Sequence, residues 1–192
     1  MKDLESGLKL FNKSIIDQIF IETDKYLTQK TDLVLIGGTA LVVKYLSPRA
    51  TLDVDSYSAI SKELKEAWKK AEKKIGVTIP LSKSPISEGP YNMEDRFTSY
   101  DDLKLKFLSI YVPDPVDILL MKVTRLFGKD RDDIKHLIKH SKIKESILLK
   151  RYFEEMDHVV GNTETILSHY LIAIEDNFGK KIADKHEKKL KS

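Results

Sequence analysis

Apolar positions follow two different periods along the first part of the chain. Between residues 8 and 27, Leu8, Leu10, Phe11, Ile15, Ile16, Ile19 and Phe20 fall at roughly helical spacing, which predicts an amphipathic opening helix. Leu33-Val34-Leu35-Ile36 is a short continuous apolar run stopped by Gly37-Gly38, and it predicts a buried strand. A helix is expected from Thr39 to Leu46, broken near Ser47-Pro48 because the residue before a proline avoids helical backbone. The next run, Arg49-Ala50-Thr51-Leu52-Asp53-Val54-Asp55, predicts another strand. Strand side chains alternate between faces, so Asp53 and Asp55 are expected on one face, with Leu52 and Val54 toward a core.

Further along, Ser58 is a candidate cap for a helix running to Gly76, with Ile60, Leu64, Ala67, Trp68, Ala71 and Ile75 on one stripe. Its lysines are interspersed with glutamates and read as a solvated face. Val77 to Leu81 suits a strand, and residues 82 to 101, with Pro85, Gly89 and Pro90, read as loop. Leu103, Leu105 and Phe107 alternate with Lys104 and Lys106, predicting a half-buried strand that extends to Val112. Asp114-Pro115-Val116-Asp117 is a helix start, with Asp114 as cap, Pro115 at the first position and Asp117 completing an acidic capping arrangement. Helical patterns alone follow. The expected fold class is therefore α/β or α+β: a small mixed sheet flanked by helices over residues 1 to 112, then a helical portion over 113 to 192 packed on it. The lysine-rich tail is expected to fray from about residue 179.

Composition narrows the chemistry. Hydrophobic content of 41% in 192 residues allows a real core, and a net charge of +3 sets up no global field that demands a nucleic-acid partner. The absence of cysteine excludes disulfides, a thiolate nucleophile and cysteine-ligated zinc. No apolar run approaches the roughly 18 residues that span a bilayer, so no membrane is expected as a partner. Met1-Lys2-Asp3-Leu4-Glu5 lacks the apolar core of a signal peptide, and a cytoplasmic location is the expectation.

Two carboxylates on one strand face raise each other's pKa and repel unless a cation lies between them. Oxygen ligands favour a hard ion, and Mg²⁺ takes one or two carboxylates together with substrate phosphates. Gly37 and Gly38 suit the neighbouring half of such a site, because residues without side chains let backbone N–H groups approach a phosphate. A second constellation lies on the helix after Asp114. Val116, Leu119, Leu120, Val123 and Leu126 form its main apolar stripe, while Lys122, Arg125 and Lys129 cluster on another side. Ile118 and Met121 flank Lys122 there, so this lysine is expected to face a cleft, where it would neutralise phosphate charge. His136 and His140 have the i, i+4 spacing of zinc ligands, but lysines surround them and no glutamate motif accompanies them.

The Gly37-Gly38 turn followed by Asp53-Val54-Asp55 resembles the signature of the nucleotidyltransferase superfamily, a Gly-Gly or Gly-Ser turn ahead of an Asp-x-Asp strand. The whole run from Arg49 to Asp55 looks like the small prokaryotic branch that contains the AbiEii-type toxins of toxin–antitoxin systems. In that branch an aspartate, two apolar residues, a lysine, an arginine and a lysine-aspartate-x-x-aspartate series follow the last strand. Asp117, Leu119-Leu120, Lys122, Arg125, Lys129, Asp130 and Asp133 fill that pattern, and the resemblance spans about residues 33 to 140.

The resemblance implies an enzyme dependent on Mg²⁺ or Mn²⁺ that moves a nucleoside monophosphate from an NTP to an acceptor hydroxyl. Asp53 and Asp55 would hold the metal and act in catalysis with Lys122. Gly37, Gly38, Thr39, Arg49, Thr51, Arg125, Lys129, Asp130 and Asp133 would bind nucleotide and phosphate. The toxin branch adds the 3′ end of tRNA as acceptor and a cognate antitoxin as partner. One departure stands out. Polymerase-like members place a third carboxylate on a later strand, whereas Leu103 to Val112 contains no acid; Asp101 and Asp102 precede it, and Asp130 and Asp133 come later. A relative that binds nucleotide or a partner protein without transferring anything is the alternative.

Overall fold

The computed structural model describes residues 10 to 84 and 89 to 191. The expectations resting on Leu8, on Met1 to Glu5 and on Pro85 lie outside them. The described residues form five strands in one mixed sheet and eight α-helices, divided between two compact units. The first unit comprises residues up to 84 with 97 to 113, and the second comprises residues 89 to 96 with 114 onward.

In the first unit the chain runs α1 (Lys13–Asp24), β1 (Thr31–Ile36), α2 (Gly37–Val43), β2 (Val54–Ser56), α3 (Lys62–Ile75), β3 (Leu81–Lys83), β4 (Thr98–Ser99) and β5 (Leu108–Val112). The sheet order is β3-β2-β1-β5-β4. β1 is parallel to β5 and antiparallel to β2, β2 is parallel to β3, and β4 is antiparallel to β5. Leu33 pairs with Ile110 and Leu35 with Ser56, so these residues share one face, and all are buried. Ile36 pairs with Asp55 and Asp55 with Ser82, which puts Asp55 on the opposite face. α1 packs on α3, where the rings of Phe20 and Trp68 lie 6.0 Å apart.

Several boundaries differ from the sequence expectation: the strand expected over Val77 to Leu81 lies at Leu81–Lys83, the strand expected over Arg49 to Asp55 is confined to Val54–Ser56, and the helix expected from Thr39 to Leu46 runs Gly37–Val43. Ser61, not Ser58, caps α3 by accepting the Leu64 N–H at 3.1 Å, while the Ser58 hydroxyl lies 3.2 Å from that of Ser56. The strand expected from Leu103 begins only at Leu108. The Asp24 carboxylate, at the end of α1, accepts the backbone N–H groups of Lys106, Phe107 and Leu108 at 2.9, 2.7 and 2.7 Å. Leu103, Leu105 and Phe107 keep the alternating burial of a strand, but the amides of 106 to 108 are satisfied by a side chain.

The second unit contains a 3₁₀ turn (Met93–Arg96), α4 (Pro115–Val123), α5 (Asp130–His140), α6 (Glu145–Glu155), α7 (Thr163–Phe178) and α8 (Lys180–Leu190). Asp114 caps α4 as expected, accepting the Val116 N–H at 2.9 Å. Asp117 does something else. It is fully buried and accepts from Arg96 Nε at 3.1 Å, from Arg96 Nη2 at 2.8 Å and from Arg151 Nη2, and both arginines also reach Glu155. The 93 to 96 turn is thereby tied to α4 and α6. The tail expected to fray from about 179 instead forms α8, which packs on α7 through Ala183 and His186. The lysine content signalled solvation, but buried His186 lies 2.9 Å from the Tyr170 hydroxyl and 2.6 Å from Glu145 Oε2, anchoring one face of that helix.

Candidate functional site

β1 ends at Ile36 and the chain turns at Gly37, whose φ of +62° is readily adopted only by glycine. Because Ile36 lies opposite Asp55, the turn meets that carboxylate: a Cβ on Gly37 would stand 3.2 Å from Asp55 Oδ2. A Cβ on Gly38 would stand 2.9 Å from Arg49 Nη2 and 3.0 Å from Thr51 Oγ1. Both glycines are therefore covered by side chains of the 49 to 55 run.

Hydroxyls fix the aspartate strand to the same turn. Thr39 Oγ1 donates to the Asp53 carbonyl at 2.6 Å, and Thr51 Oγ1 donates to it at 3.1 Å. Thr51 is itself held by paired main-chain bonds to Phe11 at 2.7 and 2.9 Å. Val54 faces the core with no exposed surface, while Asp53 and Asp55 are half-buried. Leu52, expected toward the core, is also only half-buried, because β2 begins at Val54 and the residues before it bend. The fold thus brings together Gly37, Gly38, Thr39, Arg49, Thr51, Asp53 and Asp55.

Chemically this sets the Asp55 carboxylate, with half-buried Asp53 two residues before it, beside a turn with room for no side chain. An all-oxygen donor set suits a hard divalent ion, and two carboxylates leave positions for phosphate oxygens and water. On β5 the positions sharing the Asp55 face are Ser109 and Tyr111, as the pairing of Tyr111 with Val34 fixes. Among the described residues, no group of three or more His, Asp or Glu side chains is placed to hold a metal. Asp101 and Asp102 are exposed, with Asp102 at 3.3 Å from the Lys13 ammonium.

The other predicted residues lie in the second unit, where Lys122, Arg125, Asp130 and Asp133 form one cluster. Lys122 is 3% exposed, and its ammonium donates to Asp130 Oδ1 at 2.8 Å and to Asp133 Oδ2 at 2.6 Å. The charge expected to face a cleft is met here by two carboxylates. Asp130 Oδ2 also accepts from Arg125 Nε at 3.2 Å and from the Phe127 N–H at 3.0 Å. Burial pushes the Asp130 carboxyl up, but Lys122, Arg125 and the amide outweigh it and hold the group below the usual aspartate range. Lys129, just before α5, is exposed. His136 and His140 stack with ring centroids 5.4 Å apart.

Residues 14 to 178 match a family described as nucleotidyltransferases of unknown function (DUF6036). The chain belongs to this family. No curated protein and no solved structure matches it. The protein is thus placed among the nucleotidyltransferases, whose substrate class is an NTP, and its mixed sheet with flanking helices is consistent with their α+β fold.

Two structural anchors of this nucleotidyltransferase escaped the sequence reading. Asp24 reads as one polar residue at the end of a helix, and only the fold carries it to the amides of residues 106 to 108. Arg96 reads as a loop residue, and its pairing with Asp117, 21 positions away, has no local signal. An isolated arginine in a loop ahead of an acidic helix start was the sole available hint.

Proposed function

We propose that this nucleotidyltransferase is metal-dependent and moves a nucleoside monophosphate from an NTP to an acceptor hydroxyl, releasing pyrophosphate. One observation carries the reading: the Gly37-Gly38 turn is closed directly on the Asp-x-Asp strand, with Asp55 Oδ2 3.2 Å from where a Gly37 side chain would begin. Asp53 and Asp55 would hold Mg²⁺ or Mn²⁺, which when bound supplies neutralisation of phosphate charge. The chain's own groups do the rest. The two glycines let the side chains of Asp55, Arg49 and Thr51 close on the turn, and the Arg49 guanidinium beside Gly38 is suited to hold phosphate oxygens. Thr39 and Thr51 keep the backbone of Asp53 in place.

In the transfer, the acceptor oxygen forms a bond to the α-phosphorus while the bond from that phosphorus to the α–β bridging oxygen breaks. Pyrophosphate carries away the electron pair, and the acceptor proton passes to an aspartate oxygen or to water. By the same resemblance Arg125 and exposed Lys129 are candidate phosphate contacts, whereas Lys122, Asp130 and Asp133 are committed to one another in a buried ion-pair cluster that holds α4 to α5. By resemblance to the AbiEii-type branch, the acceptor is the 3′ end of tRNA and a cognate antitoxin restrains the enzyme.

A second reading, a relative that binds nucleotide without transfer, draws support from the lack of a three-member acidic group among the described residues. The experiment that separates them incubates the purified chain with Mg²⁺, each α-labelled NTP and total RNA, alongside Asp53→Ala and Asp55→Ala. Label in RNA that disappears in both variants is the expected result. Nucleotide uptake without label transfer to RNA, protein or small alcohols selects the binding reading, and transfer that survives both substitutions rejects the site.

A further inference from the structure

The loop joining α4 to α5 holds an aromatic ring out in water, with a cationic residue two positions to either side in the sequence. Phe127 is 73% exposed, although its neighbours in the loop are firmly placed. The Leu126 N–H donates to the Lys122 carbonyl at 2.8 Å and the Asp130 N–H donates to the Phe127 carbonyl at 2.7 Å. The Phe127 N–H is taken by Asp130 Oδ2 at 3.0 Å, on a carboxylate that Lys122 and Arg125 also hold. Leu126 and Gly128 on either side have positive φ values of 45° and 33°. A leucine in that region is strained, so the surrounding bonds impose this turn. What they present is a ring flanked in sequence by Arg125, whose side chain is 43% exposed, and by exposed Lys129.

Packing gives no reason for this ring, since most of its surface is in solvent. An exposed aromatic ring on a short loop that also carries an exposed arginine and an exposed lysine suits a ligand that is planar and unsaturated at one end and anionic at the other. Nucleotides have that chemistry: the base stacks on the ring and the phosphates meet the cations. We propose that Phe127 is a base-stacking residue and that Phe127, Arg125 and Lys129 form a nucleotide subsite. This rests on the nucleotidyltransferase reading and assigns a nucleotide contact to residues of the second unit alone. The same chemistry is offered by a free NTP and by one nucleotide of an RNA strand. Stacking tolerates any base, so the subsite grips without strict base selection, and purines, with the larger ring, stack best.

The test measures equilibrium binding by the full-length chain with Mg²⁺, using ATP, UTP, inorganic tripolyphosphate and a six-nucleotide single-stranded RNA. Phe127→Ala is expected to weaken ATP about tenfold and UTP less, with tripolyphosphate unchanged, because tripolyphosphate has no base. Phe127→Trp is expected to restore ATP binding and to show indole emission quenched by the stacked base. A loss confined to the RNA, rescued by the same tryptophan, assigns the subsite to a strand nucleotide and supports the shared chemistry. Wild-type affinity for both base-bearing ligands in Phe127→Ala overturns the proposal, as does an equal loss of tripolyphosphate, which marks a structural role. If the wild-type chain takes up neither NTP nor RNA, the nucleotide reading itself falls. If it transfers label in an Asp53-dependent way while Phe127→Ala binds normally, only the stacking proposal falls.

Discussion

Asp53 and Asp55 in the first unit stand half-buried beside a glycine turn, whereas Asp117, Asp130 and Asp133 in the second are sealed from water against arginine and lysine. The two arrangements use the same side chain for opposite ends. A half-buried carboxylate keeps water access, so it can exchange the contacts it makes for a ligand. A carboxylate buried against a cation has its oxygens committed, and its contribution is conformational: the pair costs desolvation and is strongly destabilising when halved. Sequence motifs do not distinguish these cases, since Asp-x-Asp and Lys-Asp-x-x-Asp look equally suited to chemistry.

The largest effect expected from this contrast is on stability. Lys122→Ala leaves Asp130 and Asp133 buried without their cation, and a loss of about 3–5 kcal/mol is expected in urea unfolding. Asp117→Ala, which strips Arg96 and Arg151 of a shared acceptor, belongs to the same class. A cost below about 1 kcal/mol for both would remove the distinction between the two regions.

Next comes the opposite signature at the glycine turn. Asp53→Ala and Asp55→Ala are expected to unfold within about 1 kcal/mol of wild type, as surface substitutions do. Label transfer from NTP is expected to fall about 10²–10³-fold, the scale for removing a group that stabilises transition-state charge. Parallel loss of folding and transfer would show that these acids are structural after all.

Gly37→Ala is a smaller perturbation that sharpens the geometry. The residue would have to hold φ of +62° and place its Cβ 3.2 Å from Asp55 Oδ2. A cost of about 1–2 kcal/mol is expected from unfolding curves, with NTP affinity reduced more than in Gly76→Ala, where nothing lies within 4 Å of an added Cβ.

The smallest effect is in acid. Asp24 and Asp130 are both held below the ordinary aspartate value of 3.8: burial pushes each up, and backbone amides at Asp24, or Lys122 at Asp130, outweigh it. A lowered folded-state pKa means that protons bind the unfolded chain more readily, so each group's contribution is complete above the unfolded value and drains away as pH falls through the folded one. Stability is expected to be insensitive to these groups above about pH 5 and to decline below about pH 4. Asp24→Asn should reduce that decline, and an unchanged acid limb would show that the amide bonds at residues 106 to 108 contribute nothing.

Several elements were legible because their signals are local. The Leu33 to Ile36 strand, the glycine turn after it, the Asp114-Pro115 helix start and the Leu64, Ala67, Trp68 and Ala71 stripe each follow from spacing within a few residues. The candidate site was legible for the same reason, since Gly37-Gly38 and Asp53-x-Asp55 are short patterns. Ser61 displaced Ser58 as a cap through a competing hydroxyl contact at Ser56. The 103 to 107 segment kept strand-like alternation without a strand because Asp24 took the amides that a neighbour would have used. Lys122 sat among Ile118 and Met121 in a way that suggested a cleft, yet a buried ammonium among apolar residues is also what an internal ion pair requires.

By itself, then, the sequence determined the alternation of helix and strand, the helix cap at Asp114, and the placement of Asp55 on a strand behind a glycine turn, with Asp53 just ahead of that strand. These depend on backbone sterics and side-chain period, which act over a few residues. Tertiary structure alone decided which charges are sealed and which stay wet: Asp117 against Arg96 and Arg151, Lys122 between Asp130 and Asp133, Asp24 under three amides, and Asp53 and Asp55 left half-buried at the turn. Burial and partner choice are properties of residues brought together from distant positions, and electrostatic strength depends on that local dielectric.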